Sequence, residues 1–362
     1  MPADAPPLRS LSLHAPHRGL PELVLGRMAA QLAPGEGPYD AVPRLERRVA
    51  ELLGKPAALL FPTGTMAQQV ALRLHADARG RRGVAFHPYC HLDEAERQGY
   101  TVVHGLHAVR VGERERLLTL AELREVEEPP AALLLELPQR SIGGQLPEWD
   151  ELVAQTEWAR ERGAATHLDG ARLYLAQPYY QRPLAEIAGL FDSVYVSATK
   201  GLGGVADAVL AGSEELIRHA RVWRHRLGGA AEVAWPSALA AEWTMDTQLP
   251  RVPEYVATAR ELASGLRGAE GIEVLCDPPQ TPLFHLHLAA SPESVLVAAR
   301  RLSEERGVYL PRYAGTMPSP RMSTIEITVG AQFDDVPVAE AVALLTELVA
   351  RARELDRGCG QR

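Results

Sequence analysis

Lysine is scarce in this 362-residue chain: of its 38 cationic side chains, only Lys55 and Lys200 are lysines, and the others are arginines. Cysteine is scarce too, and three widely separated cysteines cannot form a disulfide framework, which favours a reducing compartment. No apolar run approaches the roughly 20 residues that span a membrane, and the N-terminus lacks the apolar core of a signal peptide. These absences predict a cytoplasmic protein with no membrane partner.

The rest of the composition is that of an ordinary soluble protein, with 46% apolar and 23% charged residues. A net charge of −8 argues against nucleic acid as a partner, because binding to phosphates needs a positive field. The chain is also long enough to form two domains.

Short apolar strands alternate with helices over the first two thirds of the chain. The pattern predicts strands and helices in the ranges 42–53 (helix), 57–61 (strand), 66–75 (helix), 131–137 (strand), 146–163 (helix), 164–169 (strand) and 193–197 (strand). Such alternation is typical of α/β proteins in which helices cover both faces of a mainly parallel sheet.

After about residue 248 the pattern changes to that of a smaller α+β unit. Strands at 283–288 and 323–329 show apolar residues at every second position, and a final helix is predicted over about 338–350. We therefore predict an irregular N-terminal arm over residues 1–20, a large domain over 21–248 and a small C-terminal domain over 249–362.

One of the two lysines stands in SVYVSATKGLGG, between a predicted strand and a glycine-rich turn. An amine can lose its proton and condense with a carbonyl, whereas a guanidinium stays charged and does neither. Lys200 also follows a strand, and the carboxyl ends of parallel strands line the active-site crevice of such sheets. Lys200 is therefore a candidate for imine chemistry, whereas Lys55 lies just past a helix end, where a cation suits the helix dipole.

The segment THLDGARL places Asp169 at the end of another predicted strand. A turn or N-cap role is the common explanation of such an aspartate. Pyridoxal 5'-phosphate (PLP), however, needs a lysine that forms a Schiff base and an acidic partner for its ring nitrogen. Asp169 and Lys200 end two successive predicted strands, so the pair favours a site for this cofactor.

Gly64 and Thr65 lie where a strand gives way to a helix, in PTGTMAQQ. Free amides, a hydroxyl and the positive end of a helix dipole could bind a phosphate there. The motif is not a Walker sequence, and many strand-to-helix turns contain Gly-Thr, so it is informative only together with the other motifs.

The segment HPYCHLDEAERQGY offers two interpretations of its histidines. His87, Cys90 and His91 could form part of a zinc site, but no further ligand cluster accompanies them, and we predict no metal. His91 is then either a polar surface residue or, in a cofactor site, a ring that lies flat on the pyridine and acts as an acid or base.

Four segments in the same order resemble the threonine aldolase and β-eliminating lyase group of enzymes. They are LGKPAALLFPTGTMAQQVAL, HLDEAERQG, HLDGARLYLA and FDSVYVSATKGLGG, and the resemblance covers about residues 20–245, with a looser match at PSPRMSTIEITV. It implies PLP as cofactor, the aspartate aminotransferase fold (fold type I) and a PLP-binding large domain over 21–248. It also implies a homodimer or homotetramer with its active site at the subunit interface.

The resemblance further implies a role for each matching residue of the cofactor site. Lys200 would be the Schiff-base lysine, Asp169 the partner of the ring nitrogen, and His91 the histidine that stacks on the cofactor. Gly64 and Thr65 would bind the cofactor phosphate.

Three more residues would bind the substrate by the same resemblance. Arg172 would lie beside the cofactor and hold the substrate carboxylate, Arg321 would be the C-terminal carboxylate-binding arginine, and Ser10 would match the N-terminal serine of the family's L-R-S-D-T opening. That opening lacks its aspartate here.

Two other family segments differ in this chain. The segment E-N-T-H-N is replaced by ELPQRSIGG, so a second histidine is absent and Gln139 or Arg140 stands in its place. The segment G-G-G-M-R-Q reads LGGAAEVAW, with Glu232 in place of an arginine that reaches a phosphate. Residues 224–226, which are basic, either compensate for that arginine or form a solvated helix face.

The implied reaction is cleavage of the Cα–Cβ bond of a β-hydroxy-α-amino acid (threonine, allo-threonine or similar) to glycine and an aldehyde. His91 is the candidate base, with a bound water as its rival. A PLP-dependent β-eliminating lyase or aminotransferase on a small amino acid is the alternative enzyme, since the early chemistry is shared. A non-enzymatic PLP-fold binding protein is the alternative from another class.

Overall fold

The computed structural model describes residues 9–14, 21–29, 31–32, 35, 37, 39–204, 208–230 and 234–359. The chain divides into two compact units. The large unit runs from Leu25 to Leu249, and the small unit combines the residues before Leu25 with those from Pro250 onward. Along the described ranges, no helix has both the length and the apolar character needed to cross a membrane.

The described strands, in chain order, are β1 (Arg9–Ser10), β2 (Ala57–Leu60), β3 (Gly83–Phe86), β4 (His107–Arg110), β5 (Ala132–Glu136), β6 (Ala165–Gly170), β7 (Ser193–Val196), β8 (Val209–Gly212), β9 (Ile272–Leu275), β10 (Leu283–Leu288), β11 (Val308–Tyr309), β12 (Gly315–Thr316) and β13 (Ser323–Thr328).

The described α-helices are α1 (Pro21–Ala29), α2 (Ala41–Leu52), α3 (Gly64–Arg79), α4 (His91–Glu94), α5 (Gly99–Val102), α6 (Leu120–Arg124), α7 (Trp149–Glu161), α8 (Leu173–Tyr180), α9 (Leu184–Gly189), α10 (Ala198–Leu202), α11 (Glu214–Arg226), α12 (Trp235–Gln248), α13 (Val252–Leu266), α14 (Pro292–Arg306) and α15 (Val338–Cys359). Short 3-10 helices cover Arg140–Ile142, Leu249–Arg251 and Ala331–Asp334.

The large unit is built on a sheet whose described strands are ordered β2-β8-β7-β6-β5-β3-β4. Neighbouring strands are parallel except where β8 pairs antiparallel with both β2 and β7. The predicted mainly parallel α/β architecture is confirmed. The sequence analysis did not predict β3, β4 and β8.

The central strands β5, β6 and β7 are buried along their whole length. This explains why they read as continuous apolar runs rather than as alternating ones, since helices cover both faces of a parallel sheet. Because β5, β6 and β7 run in the same direction, their carboxyl ends lie at one edge, which carries the polar residues Glu136, Asp169 and Ser197.

Helix α3 connects that edge to the opposite end of the sheet. It begins after Thr63, whose hydroxyl accepts a hydrogen bond from the Met66 amide at 3.2 Å, and it ends at Gly80 with φ of +63°. A hydroxyl N-cap and a left-handed glycine are the usual start and end signals of a helix. The sequence pattern predicted only the middle of this helix, 66–75.

The small unit contains an antiparallel sheet with the strand order β12-β13-β10-β9. Its core takes Phe284, Leu286 and Leu288 from β10 and Ile325 and Ile327 from β13, so the predicted two-residue alternation marks the buried face. The predicted smaller α+β unit is therefore confirmed.

The N-terminal segment contributes to the small unit. Arg9 and Ser10 pair in parallel with Val308 and Tyr309, whereas the sequence analysis predicted an irregular arm. Ser10 and Tyr309 are 299 positions apart, so no local pattern could have indicated the pairing. The remainder of the predicted arm, residues 1–8 and 15–20, lies outside the described residues.

Candidate active site

Asp169 lies at the carboxyl end of β6, in the middle of the large unit's sheet. It pairs in register with Glu136 of β5 on one side and Tyr195 of β7 on the other. Its side chain is almost fully buried, and its Oδ1 accepts a hydrogen bond from the Ala171 amide at 3.0 Å. A buried carboxylate is costly unless something nearby uses its charge, so this edge is a candidate functional site.

Lys200 is exposed and lies on α10, the short helix that follows β7. The Ser197 hydroxyl caps this helix by accepting a hydrogen bond from the Lys200 amide at 3.4 Å, and Gly203 ends it with φ of +76°. Strands β6 and β7 are parallel neighbours, so the structure places Lys200 and Asp169 at the same edge of the sheet.

Gly64 and Thr65 form the first turn of α3, which begins after β2 at that edge. A side chain at position 64 would collide with Tyr195, since a Cβ there would lie 2.2 Å from the tyrosine hydroxyl oxygen. Glycine is therefore required by packing, and the turn presents its backbone amides without a side chain over them. This arrangement fits an anion such as a phosphate.

His91 begins α4, and its Nδ1 lies 3.1 Å from an Oε1 of the buried Glu96. Glu96 also accepts hydrogen bonds from the side-chain amides of Gln69 at 2.8 Å and Gln68 at 3.3 Å. The hydrogen bond to Glu96, together with nearby carboxylates, raises the pKa of His91. The contact also fixes the tautomer with a proton on Nδ1, leaving Nε2 as the basic nitrogen.

Glu136 is a residue of this edge that the sequence analysis did not single out. Its Oε2 accepts from the His91 amide at 3.3 Å and its Oε1 from the Arg140 amide at 3.1 Å. Burial and the negative charge of Asp169 raise the pKa of Glu136 to about 7. The available signal was an acidic residue at the end of an otherwise apolar strand, which marks a buried carboxylate.

Arg172, directly before α8, is half-buried. Its positive charge acts on Glu136 and opposes the rise of that carboxyl's pKa, so Arg172 belongs to the same electrostatic environment. Gln139, one of the two residues predicted to stand where the family has its second histidine, is buried and donates from Nε2 to the Tyr89 carbonyl at 3.1 Å.

Two predicted substrate-binding residues lie in the small unit. The Ser10 hydroxyl is buried and donates to the Ser12 carbonyl at 2.9 Å, while accepting from the Ser12 amide at 2.8 Å. Arg321 is exposed in the turn between β12 and β13, and its charge helps to lower the pKa of Asp356. Their substrate-binding roles stay predictions.

The zinc interpretation of the histidine segment finds little support in the contacts. His87 Nε2 lies 2.8 Å from the Arg116 carbonyl, and its Nδ1 accepts from the Tyr89 amide at 3.0 Å, so both ring nitrogens are engaged. Burial and neighbouring carboxylates raise the pKa of the Cys90 thiol well above its usual value. No cluster of three or more His, Cys, Asp and Glu side chains suited to a metal occurs in the part of the chain that the structure describes.

The basic residues near the end of α11 divide in two groups. Arg224 is half-buried and donates from Nη1 to the Leu60 carbonyl at 2.5 Å, next to the end of β2, while His225 and Arg226 are exposed. Glu232, which replaces the family's arginine, lies outside the described residues.

Comparison with known proteins agrees with this geometry. The family model described as β-eliminating lyase matches residues 27–290. The low-specificity L-threonine aldolase of Escherichia coli K12 is 31% identical over 277 residues, which make up 74% of this chain and 80% of that protein. Low-specificity L-threonine aldolase 1 of Arabidopsis thaliana is 28% identical over 285 residues, covering 76% and 79% of the two chains.

A solved structure is similar over nearly the whole chain. A Listeria monocytogenes EGD-E protein proposed to be an L-allo-threonine aldolase aligns with a TM-score of 0.83 and 34% identity, covering 90% of this chain and 92% of that one. The shared architecture is fold type I, a mainly parallel sheet with helices and a smaller antiparallel unit. By sequence and by fold, the chain belongs to the β-eliminating lyase family of PLP-dependent enzymes.

Proposed function

We propose that the protein binds PLP and cleaves the Cα–Cβ bond of a β-hydroxy-α-amino acid, such as threonine or allo-threonine, to give glycine and an aldehyde. The observation that carries the proposal is that Lys200, exposed on the short helix after β7, and Asp169, a buried carboxylate near the end of the neighbouring parallel strand β6, lie at the same edge of the sheet. The names of the relatives support the choice of an aldolase among the lyases of this family.

The residues at this edge fit PLP. The cofactor, when bound, supplies a ring that withdraws electrons from the substrate's Cα. Lys200 would hold it covalently, and Asp169 would keep its ring nitrogen protonated, which requires a carboxylate that is itself shielded from water. The bare first turn of α3 at Gly64 and Thr65 would bind the phosphate.

Arg172 would orient the substrate by holding its carboxylate with a bidentate contact. Orientation decides which bond at Cα is broken, because only the bond perpendicular to the ring is weakened. The further substrate contacts predicted for Arg321 and Ser10 rest on the resemblance to the family alone.

His91 would take the proton from the substrate's β-hydroxyl. With Nδ1 donating to Glu96, Nε2 is the nitrogen that accepts the proton, and the buried Glu96 carboxylate stabilises the imidazolium that forms. The His91–Glu96 pair would therefore supply the base without the second histidine of the family's segment. A bound water remains the rival base.

The decisive experiment is to identify products. Purified protein supplied with PLP should release aldehyde and glycine in equal amounts from a panel of β-hydroxy-α-amino acids, measured by coupling aldehyde to an alcohol dehydrogenase. Keto acid from serine, with no aldehyde from any member of the panel, would instead identify the β-eliminating lyase. Failure to bind PLP at all would favour the non-enzymatic alternative.

Two further properties belong to the proposal. We expect a homodimer or homotetramer that acts in the cytoplasm on a small amino acid, with neither nucleic acid nor membrane as a partner. Light scattering on the purified protein measures its mass against that of one 39.4 kDa chain. A monomer with full activity would contradict the expectation of an active site shared between subunits.

A further inference from the structure

We propose that Glu136 is a positioning residue that ties the start of α4, and with it His91, to the turn that follows β5. The role of this contact in the reaction rests on the proposed function, since it concerns the placement of the candidate base. The contact itself, and the experiment below on backbone amides, do not depend on which substrate the enzyme uses.

The two oxygens of this carboxylate serve two different loops. Oε2 accepts from the amide of His91, the first residue of α4 in the connection after β3, and Oε1 accepts from the amide of Arg140, the first residue of the 3-10 helix after β5. Gln139 Nε2 also lies 3.4 Å from Oε2, and it donates to the Tyr89 carbonyl of the first loop. One side chain therefore bridges both loops, with a second bridge at Gln139.

Helix α4 has only four residues, so its position depends on such tertiary contacts rather than on its own turns. Its third residue is held independently. Asp93 accepts from the Tyr100 hydroxyl at 2.7 Å and from Arg110 Nε at 2.7 Å. Glu136 holds the first residue, and the two contacts together fix the direction of the helix that presents the His91 ring.

A carboxylate is the side chain that can do this. It offers two accepting oxygens, whereas a glutamine of the same length offers one, and its amide nitrogen cannot accept from a backbone amide. An aspartate keeps both oxygens but is shorter by one methylene, so it cannot span the same two loops without movement.

The charged groups around Glu136 come from each neighbouring element. Asp169 of β6 lies beside it and repels its charge, while Arg172 before α8 and His91 of α4 attract it. The buried Cys90 thiol is also within reach of this field. A carboxylate next to Asp169 is electrostatically unfavourable, and the hydrogen bond from the Arg140 amide offsets part of that cost.

The test compares Glu136→Gln and Glu136→Asp with a matched control, Asp192→Asn. Asp192 also accepts from a backbone amide of β6, that of Thr166 at 2.8 Å, but at the amino end of the strands. In the PLP-loaded enzyme, amide hydrogen exchange at His91 and Arg140 would be measured together with kcat and KM.

For Glu136→Gln we expect exchange at one or both amides to become about tenfold faster, as for loss of one charged hydrogen bond. We expect kcat to fall about tenfold with KM within a factor of two, since a misplaced base affects the chemical step. Glu136→Asp should show the same losses although it keeps the charge, and Asp192→Asn should show neither.

Several results would overturn the proposal. Amide exchange and kcat at the wild-type values in Glu136→Gln would contradict the proposal. Full kcat in Glu136→Asp would also contradict it, because the effect of Glu136 on kcat would then depend on the charge and not on the length of the side chain. Equal losses in Asp192→Asn would indicate general destabilisation. If Glu136→Gln does not fold, unprotected His91 and Arg140 amides in the wild-type protein would also refute the contact. If no substrate is turned over, the exchange data still decide on Glu136.

Discussion

Strand β6 carries two buried polar groups, one around His167, nearer its amino end, and one around Asp169, nearer its carboxyl end, and the two groups differ in charge. Towards its amino end, His167 shares the Ser193 hydroxyl with His75 of α3, each ring nitrogen lying 2.7 Å from the Ser193 oxygen. At its carboxyl end, Asp169 lies beside Glu136. The first group contains neutral side chains joined to one another, while the second contains two buried acidic side chains, Asp169 and Glu136, that accept hydrogen bonds from backbone amides in the connections after β3, β5 and β6.

The difference shows how one sheet can hold a buried polar group that stabilises the fold and another that belongs to the candidate active site. Burial lowers the pKa of both His75 and His167 to about 3, so the imidazoles stay neutral, and each places one ring nitrogen against the shared hydroxyl. At the other end, burial and mutual repulsion raise the pKa of Glu136 to about 7, which is a destabilising arrangement. Carboxyl groups with a raised pKa are concentrated at functional sites, so this electrostatic cost is expected where the group has a role in function.

The largest effect is expected from the exposed lysine at the carboxyl end. Lys200→Arg should abolish turnover and covalent attachment of PLP, because a guanidinium does not form a Schiff base. The fold should persist, since the side chain is exposed. Activity, the visible absorbance of the PLP-loaded protein and its circular dichroism would be measured. Retained aldehyde release in the variant would contradict the role assigned to this residue.

The next largest effect concerns the carboxylate on β6. Asp169→Asn should lower kcat by roughly 10²–10³-fold, as expected when a preorganised electrostatic partner is removed. PLP should still attach, because Lys200 is intact. A kcat within a factor of ten of the wild type, measured at saturating PLP, would exclude an electrostatic role for Asp169 in the reaction.

Position 64 links the same edge to helix α3. Gly64→Ala places a methyl group 2.2 Å from the Tyr195 hydroxyl oxygen, so we expect about 1–3 kcal/mol of destabilisation and weaker PLP binding. Gly189→Ala is the matched control, because a Cβ there meets nothing within 4 Å. Unfolding in urea and PLP titration followed by absorbance would be compared. An equal effect in both variants would remove Gly64 from the candidate phosphate site.

The two ends of β6 should respond to pH in opposite directions. The histidines bind protons near pH 6.5 when unfolded and near 3 when folded, so the stability they support is lost as pH falls below about 6.5. Glu136 titrates near 4.5 in the reference state and near 7 when folded, so its contribution is lost as pH rises through that range.

Urea unfolding across this pH range checks the comparison. His75→Gln should reduce the acid-side slope of the free energy of unfolding by about 1.4 kcal/mol per pH unit. Glu136→Gln should reduce only the slope over the range in which the contribution of Glu136 to the free energy of unfolding is lost as pH rises. Identical pH profiles in the wild type and His75→Gln would mean that the amino-end group is not held neutral by burial.

The smallest effect on function is expected at the amino end. Ser193→Ala removes the hydroxyl shared by His75 and His167 and should lower the free energy of unfolding by about 1–3 kcal/mol, because two buried ring nitrogens lose their partner. Turnover should not change at a temperature where the variant is folded. A loss of kcat comparable to that of Asp169→Asn would mean that the two ends of β6 are functionally coupled.

The sequence pattern placed Asp169 at the end of one strand and Lys200 after the next, where the structure has the short helix α10, because apolar runs bounded by turn residues are local features. It missed Glu136, although that residue ends a strand that was predicted. The contact of Glu136 with Arg140 is local, but its contact with His91, 45 positions earlier, and its place beside Asp169 on the neighbouring strand are not contained in any local pattern. The antiparallel direction of β8 was equally out of reach, since strand direction depends on pairing partners.

The sequence by itself determined the α/β class, the smaller second unit and the family, since these follow from periodicity and from motifs whose residues are adjacent in the chain. Only the tertiary structure decided that Tyr195 requires glycine at position 64, that Glu96 holds the Nδ1 proton of His91, and that Glu136 lies beside Asp169. The physical reason is that burial, hydrogen bonding and repulsion act across space, between residues that the chain brings together only when it folds.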